Sequence, residues 1–214
     1  MSNICYIIGA GENYGLDFVA KDGDMVIAAD GGLDFLDENG INADLVVGDF
    51  DSAARTPARE NIIALSREKD CTDTLAAIYA GMDRGYKTFY IYCGTGGRID
   101  HTLANIQGIA FLSRRRSKGY LVDRDNIITA VTNGSIFFDS RCGGYISVFS
   151  NSDKSTGVFL KGLKYELEDA VIENCYSIGV SNEFIGVDSE ITVNNGTLIV
   201  VFPRKCMRFL NPPI

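Results

Sequence analysis

Four clusters of polar and glycine residues hold the chemistry available to this sequence. In Gly48-Asp49-Phe50-Asp51-Ser52 two carboxylates stand two positions apart, so on an extended segment both leave the same side of the backbone. Like charges that close repel unless a cation lies between them. Hard carboxylate oxygens suit Mg²⁺, which also takes waters and substrate phosphate oxygens. Asp73, in Lys69-Asp70-Cys71-Thr72-Asp73, is available as a further ligand. An Asx-type turn after a strand is the plain structural alternative for Asp49 and Asp51.

Thr95-Gly96-Gly97-Arg98, followed by Ile99-Asp100-His101, lacks the Lys-Ser/Thr of a Walker loop. The logic is nevertheless that of an anion cradle. Glycines let backbone N–H groups approach a phosphate, a helix start adds its positive end, and Arg98 offers a two-donor fork. A glycine-rich turn with Arg98 paired to Asp100 is the alternative. His101, the only histidine, reads as a helix-start residue rather than a general base, because phosphoryl transfer asks mainly for positioning and charge neutralisation. The fourth cluster, Asp30-Gly31-Gly32, has three readings. One is a ribose-binding acid in a dinucleotide fingerprint with Gly9 and Gly11, although Tyr14 occupies the place of the third glycine. A second is a nucleotide contact, and a third is a cap on the next helix.

Position supports the functional readings. Apolar runs Ile4–Ile8, Met25–Ala29, 45–47, 62–65 and 89–93 read as buried strands, alternating with helical stretches at Leu75–Met82 and His101–Leu112. Such alternation predicts a parallel sheet covered on both faces, and open parallel sheets bind ligands beyond the ends of their strands, where these clusters fall. The first helix is predicted to start at Thr72-Asp73-Thr74 with a side-chain cap. The second carries Leu103, Ile106, Ile109 and Ala110 on one face. After residue 123 the texture changes to short strands broken by Asp125-Asn126, Asn133-Gly134, Gly143-Gly144, Gly157 and Asn194-Asn195-Gly196, read as hairpin turns. The expected architecture is an α/β domain over 1–123 with a mostly parallel sheet, then an all-β, sandwich-like domain over 124–214.

Composition bounds the rest. The chain has 214 residues, 46% of them hydrophobic and 22% charged, which places it among folded globular proteins. Its net charge of −8 argues against a nucleic-acid partner, since such binding is driven by a positive face; the one concentrated basic run is Arg114-Arg115-Arg116. Six cysteines without a CxxC pair read as reduced thiols. With no basic leader and no apolar run of membrane-spanning length, the expectation is a soluble, cytoplasmic protein.

Taken in order, Ala29-Asp30-Gly31-Gly32, Asp44-x-x-x-Gly48-Asp49-Phe50-Asp51-Ser52, Lys69-Asp70-x-Thr72-Asp73 and Gly96-Gly97-Arg98-x-Asp100-His101 resemble thiamine pyrophosphokinase. Gly162-Leu163-Lys164-Tyr165 and Ser181-Asn182-Glu183-Phe184 are similar to that family's C-terminal domain. The resemblance implies transfer of the terminal pyrophosphoryl group of ATP to the hydroxyethyl oxygen of thiamine, giving thiamine diphosphate and AMP. It implies Mg²⁺ at Asp49, Asp51 and Asp73, and nucleotide contact at Asp30, Gly31, Thr95, Gly96, Gly97 and Arg98. Asp100 either accepts the substrate proton or orients Arg98. A homodimer is implied as well, with thiamine between the α/β domain of one subunit and the β domain of the other, near Ser181, Asn182 and an aromatic. In a chain without tryptophan, Phe184 is the candidate for that aromatic. Two other classes stay open: a nicotinamide- or flavin-dependent oxidoreductase built on Gly9, Gly11 and Asp30, and a non-catalytic nucleotide- or thiamine-binding protein.

Overall fold

The computed structural model describes residues 3–48, 62–64 and 71–209. Asp49 and Asp51, with the rest of 49–61 and 65–70, lie outside the described residues. By its contacts the chain divides into two compact units, 1–108 with 121–123, and 109–120 with 124–214.

The first unit is built on strands β1 (Ile4–Ile8), β2 (Met25–Ala29), β3 (Leu45–Gly48), β4 (Ile62–Ala64) and β5 (Thr88–Tyr92). All side chains of β1, β2, β3 and β5 are buried, as a sheet covered on both faces requires. β1 pairs in parallel with both β2 and β5, β2 with β3, and β3 with β4. The order is therefore β4-β3-β2-β1-β5, and the direction of winding reverses between β1 and β5. Helices α1 (Gly32–Glu38), α2 (Asp73–Asp83) and α3 (Ile99–Arg114) return the chain between strands. α2 buries Ala77, Ile78, Ala80 and Gly81, and packs on β1, β2 and β3. Its start carries the expected cap: the Leu75 amide donates to Thr72 Oγ1 at 3.2 Å.

α3 departs from its apolar pattern. Leu103 is 57% exposed, whereas Asn105, Ile109 and Leu112 are buried. The Asn105 amide donates to the Gly94 carbonyl at 2.7 Å. A polar residue takes an inward position because a buried loop carbonyl needs a donor, and this shifts the buried stripe away from Leu103.

The second unit contains β7 (Asn126–Phe138), β8 (Tyr145–Ser150), β9 (Lys154–Lys161), β10 (Leu167–Glu173), β11 (Asn182–Glu183) and β12 (Ser189–Pro203); β6 (Lys118–Val122) and α3 run from one unit into the other. β12 pairs with β7 along nearly its whole length. Its first half also pairs with β9 and its second half with β8, so the sheet divides into two layers along one long strand. The architecture is thus a mostly parallel α/β unit followed by a sandwich-like β unit.

Two of the sequence's turn signals, and one lone glycine, do different work. Asn133-Gly134 and Asn194-Asn195-Gly196 lie inside β7 and β12, where the pairing slips between Val193 and Thr197. Asn133 adopts a φ of 47°, and its Oδ1 accepts from the Gly196 amide at 2.9 Å. Gly157, at φ 62° within β9, lies against the Asn194 side chain. A bulge uses the same left-handed backbone as a tight hairpin turn, so the residue types alone did not distinguish the two. Among the described residues no helix is long and apolar enough to cross a membrane.

Candidate functional site

The winding reversal between β1 and β5 puts two loops side by side, and the backbone ties them together. The amides of Gly9, Gly11 and Glu12 donate to the carbonyls of Tyr92, Cys93 and Thr95 at 2.9, 2.6 and 2.9 Å. A Cβ on Gly11 would stand 2.6 Å from the Cys93 carbonyl oxygen, so no larger residue fits without displacing backbone. Cys93 itself sits at φ 52°, a strained conformation for a side-chain-bearing residue. The β1 loop thus braces the β5 loop. Because the Gly9, Gly11 and Glu12 amides are already bonded to backbone, they are not available to a dinucleotide pyrophosphate, which weighs against the oxidoreductase alternative.

The Thr95 hydroxyl donates to Asp123 Oδ1 at 2.6 Å, which commits its proton within the fold. Gly96 and Gly97 follow at φ 79° and 59°. Glu12 and the Tyr14 hydroxyl, themselves hydrogen-bonded at 2.9 Å, lie against Gly96. Arg98 Nε and Nη2 donate to the two carboxylate oxygens of Asp100 at 3.2 and 2.5 Å, and the His101 amide adds a third donor at 3.0 Å. The Arg98 guanidinium, assisted by that amide, holds the Asp100 carboxyl below the usual carboxylate range. Both side chains are well exposed, at 70% and 62%. Such a pair adds little stability, and it leaves the guanidinium open to an arriving anion.

Of the other motif residues, Asp30 follows β2, Asp73 opens α2 and Asp44 precedes β3. Asp30, exposed and at φ 52°, donates its amide to the Val47 carbonyl at 2.8 Å. The adjoining backbone at Gly32 lies against the Ile8 and Gly9 carbonyls. Gly31, within the Asp30-Gly31-Gly32 cluster, occupies the N-cap of α1, as the capping reading of that cluster expects, with no side-chain cap hydrogen bond. Asp73, half-buried, is the first residue of α2. Asp44 is structural: its carboxylate accepts the Val26 amide at 2.7 Å while its own amide donates to the Val26 carbonyl.

In the second unit Asn182 is 2% exposed. It clamps the Gly162–Tyr165 turn, with Oδ1 accepting the Tyr165 amide at 2.9 Å and Nδ2 donating to the Tyr165 carbonyl at 2.6 Å. Ser181, exposed and at φ 58°, donates its amide to Ser147 Oγ at 3.1 Å. Phe184 is 9% exposed, with its ring 5.3 Å from Phe138 in an edge-on contact. It is part of the core of this unit, so its face is not open for stacking. Tyr165, beside the Asn182 clamp, is 59% exposed. Sequence reasoning missed Glu12, Tyr14, Asp123 and Asn105, whose contacts with the β5 loop leave no local signature.

Residues 17–121 match the family model for the thiamin pyrophosphokinase catalytic domain, and residues 135–199 match that for the thiamin pyrophosphokinase vitamin B1 binding domain. The chain belongs to the thiamin pyrophosphokinase family. The thiamine pyrophosphokinase of Bacillus subtilis (strain 168) is 29% identical over 182 residues, 82% of this chain and 85% of that protein. A crystal structure of thiamine pyrophosphokinase from Bacillus subtilis superposes with a TM-score of 0.82 at 25% identity, covering 94% of this chain and 99% of that one. One of thiamin pyrophosphokinase from Geobacillus thermodenitrificans gives 0.80 at 25% identity, covering 95% and 99%. The catalytic match begins at residue 17, after β1, and ends at residue 121 within β6, so it takes in the segments that follow β2, β3 and β5 in sequence.

Proposed function

We propose that this chain transfers the terminal pyrophosphoryl group of ATP to thiamine through the segments that follow β1, β2, β3 and β5 in sequence. The thiamine hydroxyethyl oxygen forms a bond to the β-phosphorus as the bridge between the α- and β-phosphates breaks, the hydroxyl proton is released to solvent, and AMP leaves. The observation that carries this reading is the presence, in order along one chain, of the catalytic and vitamin B1-binding domains of a single family.

Each residue has a task that follows from its surroundings. Arg98, exposed and forked, neutralises phosphate charge, and the Gly96-Gly97 backbone lets that charge approach. Asp100 orients Arg98, since both of its carboxylate oxygens accept from the guanidinium. Asp30 and Gly31 contribute at the nucleotide end.

Among the described residues no three His, Cys, Asp or Glu side chains form a metal-binding group. The donor set proposed for Mg²⁺ is Asp73 with Asp49 and Asp51, the latter two directly after β3 in sequence. All are hard carboxylate oxygens, the chemistry that Mg²⁺ prefers. Mg²⁺ held there supplies Lewis-acid charge to the phosphate oxygens.

We assign thiamine to the region of Ser181 and Asn182, with Tyr165 in place of Phe184 as the aromatic partner. Tyr145, Tyr165, Tyr176, Ile178, Val180 and Ile185 are all exposed in this unit. That apolar density supports a second copy of the chain as cover and a site shared between subunits.

Incubation with ATP, Mg²⁺ and thiamine, scored for AMP against ADP, tests the reaction; a single turnover without AMP would leave only a binding protein. The shared site is tested by mixing inactive Asp49→Asn, Asp51→Asn protein with Ser181→Arg protein, in which a cation opposes the thiazolium. Restored activity supports a site built from two chains. No rescue, with subunit exchange confirmed, places the whole site in one chain.

A further inference from the structure

The run Arg114-Arg115-Arg116 plays no part in the chemistry above, yet in a chain of net charge −8 it does not dissolve into a mixed surface. Arg114, Arg116 and Lys118 line a cavity of about 800 Å³ that lies wholly within the second unit, and no Asp or Glu lines it. Arg114 is held in place, with Nε donating to Thr197 Oγ1 at 3.3 Å. Thr197 is in turn hydrogen-bonded to Thr132 at 2.9 Å, and Thr132 to Ser113 at 2.9 Å.

A second observation points to a ligand. Ser117 also lines the cavity, is 4% exposed, and its Oγ has no hydrogen-bond partner. Buried hydroxyls without partners are rare because each forfeits the hydrogen bonds it made in water. Here one lies between Arg116 and Lys118 in sequence. Phe137, 68% exposed, adds an aromatic face to the lining.

We propose that this cavity binds a small phosphate-bearing ligand with an aromatic or heteroaromatic ring. Arg114 and Arg116 take the phosphate, the Ser117 hydroxyl donates to a phosphate oxygen, and the ring lies on Phe137. Arginine forks match phosphate geometry, and a cavity of this size holds a ligand of metabolite dimensions. None of the residues proposed for catalysis lines it, so the site is separate from the pyrophosphoryl-transfer reaction.

The test is titration calorimetry of the full chain at about 150 mM salt, where weak surface attraction is screened, with inorganic phosphate, inorganic pyrophosphate and phenyl phosphate as probes. Saturable binding of phenyl phosphate is expected, unchanged in Arg98→Gln and about tenfold weaker in Arg116→Gln, as expected for loss of one charge-assisted contact. Phe137→Ala should weaken phenyl phosphate and leave inorganic phosphate unaffected. Ser117→Ala should weaken all three probes without lowering the melting temperature, since the hydroxyl it removes has no partner in the fold. Arg116→Gln keeps basal AMP formation, which separates this proposal from the catalytic one. Binding lost in Arg98→Gln but kept in Arg116→Gln would place the probes in the catalytic loops and overturn the proposal. Absence of saturable phenyl phosphate binding would overturn it as well.

Discussion

The amide of Gly11 donates to the carbonyl of Cys93 at 2.6 Å, joining the loop after β1 to the loop that carries Arg98. The contact is backbone to backbone and leaves no room for a side chain. In Gly11→Ala the new methyl group would meet the Cys93 and Thr95 carbonyls. The expected outcome is a stability loss of about 1–3 kcal/mol, the usual cost of forcing atoms into a packed site. Turnover should fall by more than the stability loss explains, since small misplacements of catalytic groups cost up to ~10²-fold. Thermal melting and steady-state kinetics on the same preparation check both.

Arg98→Lys keeps the charge but loses the planar fork that Asp100 holds. Its KM for ATP should rise while that for thiamine stays constant. Asp100 gives a pH prediction. Its folded-state pKa lies below the ordinary carboxylate value, so its pairing with Arg98 is fully present above that ordinary value and is lost only as pH falls through the lowered one. The acid limb of the rate profile should therefore be the same in Asp100→Asn, with only the ATP dependence weakened. An acid limb that disappears in Asp100→Asn would make Asp100 the base.

Asp49→Asn and Asp51→Asn should each lower turnover by about 10²–10³, the typical cost of removing one preorganised electrostatic contact. Asp73→Asn should do the same, with partial recovery as Mg²⁺ is raised. Because Asp73 stands in the first turn of α2, its loss also removes a charge–dipole contribution of about 0.3–1 kcal/mol. A magnesium titration of activity beside a melting curve separates the two effects.

Phe184→Ala should act on the fold before it acts on the vitamin. The ring is buried against Phe138, which packs on Phe202 at 5.0 Å, and truncating a buried phenylalanine costs about 3–5 kcal/mol. Tyr165→Ala removes an exposed ring and should leave melting unchanged, while raising the KM for thiamine about tenfold through lost stacking and cation–π attraction. If the two variants exchange these phenotypes, Phe184 is the stacking residue after all.

Much of this protein was legible in one dimension because its signals are local. β1 and β2 are uninterrupted apolar pentapeptides, Thr72 announces the start of α2, and the ordered acidic and glycine motifs name the family. Tertiary structure decided what depends on partners distant in sequence. Asn133-Gly134 became half of a bulge instead of a turn because Gly196 lies opposite. Leu103 lost its inward place to Asn105 because the Gly94 carbonyl needed a donor. Gly9 and Gly11 offered one alternative, a dinucleotide fingerprint, but their amides bond to Tyr92 and Cys93 instead. Phe184, an aromatic next to a motif, could be known as core only once Phe138 was seen against it. Residue type determines what a group can do, and the free energy of satisfying buried polar and apolar neighbours determines which of those possibilities it takes up.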